Sequence, residues 1–253
     1  MNITNEIHEY SKYLKLPGIR RNFERVIQEA NETDMGYGEF LKKLLEEEYE
    51  IRNENSKLNR IRLANFPQKK YLEDLKTECL PEDGRNKLKL LKSLDFVKNG
   101  QNIILAGNPG TGKSHIAIGL GIRACMQGYK VLFFSVPSLI TQLKESRSER
   151  TLRTFQLKIE KYDIIIADEL GYISFDKEGA ELLFSSLSLR ANSKSTIITT
   201  NLSFDKWEDI FGDPVITAAM VDRLTHKAFM INMNGNSYRI KETHDWIQSL
   251  RSS

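Results

Sequence analysis

From residue 102 onward the chain alternates short apolar runs with longer amphipathic ones. The runs at 102–106, 130–135, 162–167, 195–200 and 228–232 are β-branched or aromatic and of strand length. Between them, the segments near 113–127, 137–160, 176–191 and 204–226 carry apolar residues at helical spacing. Strands that are apolar on both faces and alternate with helices predict a parallel sheet covered on each side. An α/β core with a five-stranded parallel sheet is therefore expected over 71–253.

Residues 1–70 read as helical throughout. Ile7, Tyr10, Leu14 and Leu16 follow helical spacing until Pro17-Gly18, which is expected to stop that helix. Ile19, Phe23, Val26, Ile27 and Ala30 mark a second helix, with Gly36 and Gly38 as turn residues after it. A charged stretch over 39–64 carries Phe40, Leu44, Leu45, Tyr49, Leu58 and Ile61 on its apolar side and ends at Pro67. A small all-helical domain over 1–70 is expected to precede the core.

Composition narrows the class. The chain has 253 residues, 40% hydrophobic and 28% charged, a soluble globular profile. No apolar run approaches the roughly 18 residues a membrane span needs, so no membrane partner is expected. The mixed, charged start does not read as a signal peptide. Cys79 and Cys125 stand alone without a CxxC neighbour, which excludes a zinc module and points to a reducing, cytoplasmic setting. Net charge is only +3, but basic residues cluster. Residues 52–92 hold eleven Lys/Arg against six Asp/Glu, and 144–161 hold six against three. Such patches are the footprint of nucleic acid or, equally, of solvated helix faces.

The chemistry begins at GNPGTGKS, residues Gly107, Asn108, Pro109, Gly110, Thr111, Gly112, Lys113 and Ser114, with His115 next. This matches GxxxxGK[ST], and it lies between an expected strand and an expected helix, as a phosphate-binding P-loop requires. Glycines let backbone N–H groups turn inward around phosphate oxygens at a helix N-terminus. Lys113 is the candidate for the β- and γ-phosphates and Ser114 for Mg²⁺, which makes ATP with Mg²⁺ the expected ligand. The apolar run at 162–167 then delivers Asp168 and Glu169 at the strand end where open α/β sheets bind ligands. Asp168 is a candidate Mg²⁺ partner and Glu169 a candidate base for the attacking water; a helix-capping pair is the alternative. Asn201, or Thr200 before it, closes the next strand as a candidate water-orienting group. Arg223 ends an amphipathic helix and is a candidate to stabilise charge on a neighbouring subunit's γ-phosphate, with pairing to Asp222 as the alternative. Arg239 is a weaker candidate for a similar role.

These four elements, in this order, resemble the AAA+ ATPases, in the branch that holds DnaA, the helicase loader DnaC and the IstB-type ATP-binding proteins of insertion sequences. The likeness extends beyond the ATP motifs. Residues 14–20 (LKLPGIR), 40–52 (FLKKLLEEEYEIR) and 62–75 (RLANFPQKKYLEDL) are similar to the IstB amino-terminal region. Residues 171–190 and 199–213 are similar to its core. The resemblance implies an ATP hydrolase that forms ATP-dependent homo-oligomers, ring or spiral, on duplex DNA and presents that DNA to a partner transposase. It implies Lys113 and Ser114 as nucleotide and Mg²⁺ ligands, Asp168 and Glu169 as the catalytic pair, Asn201 as sensor and Arg223 as the residue acting in trans. It departs from many AAA+ proteins in the short chain after Arg239, which leaves no room for a C-terminal lid domain. Within this branch 137–160 looks like a helical element facing nucleic acid, with Lys144, Arg147, Arg150 and Arg153 as candidate phosphate contacts; Lys57 and Arg60 are further candidates. A DnaC-like helicase loader is the alternative function, disfavoured because some loaders carry a cysteine-rich zinc module that two lone cysteines cannot build. A scaffold in which ATP only gates assembly fits the same residues, whereas no acceptor-binding motif supports a small-molecule kinase.

Overall fold

The computed structural model describes residues 2–172, 174–191 and 193–251, so Ile173, inside the 171–190 run, lies outside the described residues. They form two compact units, one up to Asn59 and one from Arg60. The first holds α1 (Ile3–Tyr13), α2 (Pro17–Thr33) and most of α3 (Tyr37–Leu63). Pro17 and Gly18 open α2 rather than closing the helix before it, and Gly38 lies inside α3 rather than in a turn. Proline suits the first turn of a helix because its missing N–H has no partner there anyway. Gly18 has a packing reason. A Cβ at Gly18 would lie 2.6 Å from both Glu47 O and Glu48 Cα, so only glycine lets α2 meet α3 this closely. The buried Glu48 carboxylate then accepts the N–H groups of Gly18 (2.7 Å) and Ile19 (3.2 Å), and its other oxygen takes Arg52 Nε (2.5 Å). Arg52 also donates to Lys15 O (2.7 Å). Residues 14–20 and 40–52, distant in sequence, thus form one joint.

The second unit contains α4 (Glu82–Leu91), α5 (Asp95–Lys98), β1 (Ile103–Ala106), α6 (Lys113–Met126), β2 (Val131–Ser135), α7 (Val136–Ser148), α8 (Leu152–Glu160) and β3 (Ile164–Leu170). It continues with α9 (Lys177–Ser188), β4 (Ser195–Thr200), α10 (Trp207–Phe211), α11 (Pro214–Thr225), β5 (Phe229–Asn232) and α12 (Tyr238–Arg251). All four strand pairings are parallel, in the order β2-β3-β4-β1-β5. Side-chain alternation splits the sheet's residues between two cores. Ile103, Leu105, Ile164, Ile166 and Ile197 face the core under α6, whereas Ile104, Ile165, Ala167 and Ile198 face the core under α7, α9 and α11.

Two expected helices are divided. The 137–160 segment breaks after Ser148, where Arg150 takes a φ of +57°, and resumes as α8. The 204–226 segment becomes a short 3-10 turn, α10 and α11, because Gly212 turns left-handed and Pro214 restarts a helix capped by Asp213 Oδ1. At the sheet edge, two side chains of α4 occupy the open backbone of β5. Lys87 Nζ donates to Met230 O (2.6 Å) and Asp83 Oδ2 accepts Asn232 N–H (2.8 Å). These bonds protect an edge that would otherwise invite another strand.

Candidate nucleotide site

Gly107 leaves β1 where the chain must pass the end of β5. A Cβ there would lie 2.2 Å from the backbone carbon of Met233, so no side chain fits. Gly112 holds a φ of +94° and hands the loop to α6 at Lys113. The loop after β5 packs against this turn: Met233 N–H donates to Ala106 O (2.6 Å), Asn108 Nδ2 to Gly235 O (3.2 Å) and Tyr238 N–H to Gly110 O (2.9 Å). Thr111 Oγ1 donates back to Asn108 O (2.9 Å), and His115 Nε2 lies 2.7 Å from Tyr71 O. The turn is therefore tied down before any ligand arrives.

A cavity of about 340 Å³ opens over the N-terminus of α6. Pro109 to His115, Glu169, Tyr172, Thr199, Thr200 and Asn201 line one part, and Lys70, Asp74, Leu75, Lys76, Cys79 and Leu80 another. Tyr238, Arg239 and Glu242, on the first turns of α12, complete the wall. Lys113 Nζ donates to Gly107 O and Asn108 O, each at 2.6 Å, so its ammonium is folded over its own loop. Burial lowers its pKa from 10.5 to about 8; Asp168 opposes the fall and the Arg239 charge adds to it.

Ser114 Oγ donates to Asp168 Oδ1 (2.9 Å), which joins the end of the P-loop to β3. Asp168 is buried, while Glu169 next to it is exposed to the cavity with a φ of +66°. Thr199, on β4, donates its hydroxyl to the same Asp168 oxygen (2.5 Å) and accepts Glu169 N–H (3.0 Å). Asn201 lines the cavity, and its Oδ1 is buried with no hydrogen-bond donor among the described residues. A hydroxyl and a carboxylate oxygen this close suit a hard divalent cation. Among the described residues no group of three His, Cys, Asp or Glu could hold a metal alone, so an ion here would draw further ligands from phosphate and water.

The structure brings Lys113, Ser114, His115, Glu169, Asn201 and Arg239 around one cavity, with Asp168 buried behind Ser114. Arg223 is elsewhere. It borders Asn102 and Thr196 at the N-terminal edge of the sheet, with its guanidinium 5.0 Å from the Phe184 ring centroid. The basic candidates are mostly engaged. Lys144 pairs with Asp176 (2.6 Å), Arg147 with Glu178 (3.3 Å), Arg153 with Glu160 (3.6 Å) and Lys57 with Glu54 (2.6 Å). Arg60 Nε donates to Cys125 O (2.7 Å). Arg150 is exposed in the turn between α7 and α8 and forms no ion pair among the described residues. The 70–80 wall, Tyr238 and Thr199 carry no local sequence motif. Their roles arise from long-range packing, and only the polar end of the 195–201 run hinted at Thr199.

A parallel sheet of this order, with a P-loop after β1 and an Asp-Glu pair on β3, defines an ATP-binding protein of the AAA+ class. DnaA from Aquifex aeolicus with AMPPCP bound shares the fold at a TM-score of 0.55 and 19% identity, over 74% of this chain and 56% of that one. DnaI shares it at 0.56 and 22%, over 65% and 90%. The particular family follows from sequence: the model of the IstB-like ATP binding protein family matches residues 10–245, and the chain belongs to that family. It is 34% identical to the ATP-binding protein of insertion sequence IS5376 from Geobacillus stearothermophilus, over 93% of this chain and 94% of the relative. The ATP-binding protein of IS21 from Pseudomonas aeruginosa is also 34% identical, over 94% and 90%.

Proposed function

We propose that this protein hydrolyses Mg·ATP, assembles with ATP bound on duplex DNA, and assists the transposase of its insertion sequence. The observation that carries the reading is one cavity lined by Lys113, Ser114 and Glu169, with buried Asp168 tied to Ser114 behind it, in a chain of the insertion-sequence ATP-binding family. The ammonium of Lys113 leaves its own loop carbonyls to meet the β- and γ-phosphates, aided by backbone N–H groups at the start of α6. Ser114 and Asp168 would hold Mg²⁺, which neutralises phosphate charge when bound. Glu169 accepts a proton from water as the water oxygen attacks the γ-phosphorus. The bond from phosphorus to the β-bridging oxygen breaks, and ADP keeps that electron pair. Asn201, which lines the cavity, orients the same water through its side-chain amide.

Arg223 cannot serve this chain's own cavity from the opposite sheet edge, which supports its assignment to a neighbouring subunit in a homo-oligomer. For DNA, Arg150 is the contact best supported, since its charge is exposed and without an ion pair among the described residues. Solved DnaA with single-stranded DNA and AMPPCP shares the fold at a TM-score of 0.55 and 16% identity, a precedent for nucleotide and DNA on this scaffold. A helicase-loader role has only fold likeness behind it.

Fluorescence anisotropy of a labelled duplex tests the reading. Wild type should bind tightly with Mg·ATP and weakly without it, Lys113→Ala weakly in both, and Glu169→Gln tightly and persistently because turnover is lost. Binding by Lys113→Ala as tight as that of wild type in Mg·ATP would reject the nucleotide switch.

A further inference from the structure

The β3–β4 ladder contains an irregularity beside the phosphate site. Ala167 pairs with Ile198 and Leu170 pairs with Thr200, so Asp168 and Glu169 together oppose the single residue Thr199. Two residues against one is a β-bulge, a device that re-aims side chains where a ladder is interrupted. Here it turns Asp168 inward and sends Glu169 into the cavity with a φ of +66°, a conformation unfavourable for a residue with a Cβ. The Thr199 hydroxyl fills the gap in the ladder. It accepts Glu169 N–H (3.0 Å) and gives its one proton to Asp168 Oδ1 (2.5 Å). Thr199 is only 2% exposed, so without this hydroxyl no water would readily replace either bond.

We infer that Thr199 is a positioning residue that fixes the Glu169 carboxylate against the water while holding Asp168 in register with Ser114. The inference rests on the hydrolysis reading above. One hydroxyl ties the two acidic neighbours, so the orientation of the base and that of the Ser114–Asp168 pair are set together. A hydroxyl that merely patched the bulge would lower the melting temperature and leave turnover of the folded protein unchanged.

The test compares Thr199→Val, which keeps the shape and removes the hydroxyl, with Thr199→Ser, which keeps the hydroxyl. Thr199→Val should lower kcat by about 10- to 100-fold, the usual cost of losing an outer hydrogen-bond partner of a metal ligand, with KM for ATP nearly unchanged. Thr199→Ser should retain most of the turnover. Independently of activity, hydrogen exchange of the nucleotide-free protein should show the Glu169 amide exchanging faster in Thr199→Val than in wild type or Thr199→Ser. Wild-type kcat in folded Thr199→Val, equal loss in both variants, or an equally protected Glu169 amide in all three would overturn the assignment. Glu169→Gln is run alongside. Normal turnover there overturns the hydrolysis reading and this inference with it, whereas a dead Glu169→Gln beside an active Thr199→Val overturns the Thr199 role alone.

Discussion

In the proposed function Lys113 is the residue that meets the nucleotide's phosphates, and its resting state is set by burial. With a pKa of about 8 in the free protein, its ammonium is largely charged at pH 7 and largely neutral by pH 9. A bound polyphosphate favours the charged form and draws the pKa back up. ATP binding above pH 8 should therefore take up close to one proton, and affinity should fall by up to tenfold per pH unit. Calorimetry at pH 8.5 in two buffers of different ionisation enthalpy checks this; no net proton uptake at that pH would contradict it. The sign for folding is separate. Because the folded pKa lies below the unfolded value, the unfolded chain binds more protons between pH 8 and 10.5, and this one group favours the fold increasingly as pH rises through that window.

At the scale of elements, the parts legible in sequence were those whose signal is local. The five strands show as apolar runs, Lys113 and Ser114 open the helix after the P-loop motif, and Asp168 and Glu169 lie near the end of their own strand. Features that depend on a partner elsewhere were not legible. Pro17-Gly18 reads as a stop until Glu48 is seen accepting the first N–H groups of α2, and the bulge that gives Thr199 its position exists only in the pairing of two strands. The cavity wall from 70–80 and α12 likewise has no local motif. The α2–α3 joint makes its own prediction. Gly18→Ala places a methyl group against the backbone of α3 and should destabilise the helical unit by about 1–3 kcal/mol. Hydrogen exchange of α2 and α3 should quicken accordingly, with ATP affinity unaltered; unchanged protection would show that the helices adjust freely.

For the whole molecule, the proposed function divides between the two ends of the sheet. The C-terminal edge carries the cavity, with Lys113 and Glu169, and the N-terminal edge carries Arg223 beside Phe184. On the proposed function, a phosphate site at one end and Arg223 at the other would let each copy complete the next in head-to-tail association. Family membership supplies the setting, since the relatives are ATP-binding proteins of insertion sequences. The most direct measurement is electron microscopy of the protein with duplex DNA, Mg²⁺ and a non-hydrolysable ATP analogue. The account predicts closed or spiral homo-oligomers on DNA, with Arg223 of one copy at the cavity of the next, and their absence without nucleotide or in Lys113→Ala. Single copies on DNA, or assemblies indifferent to nucleotide, would contradict it.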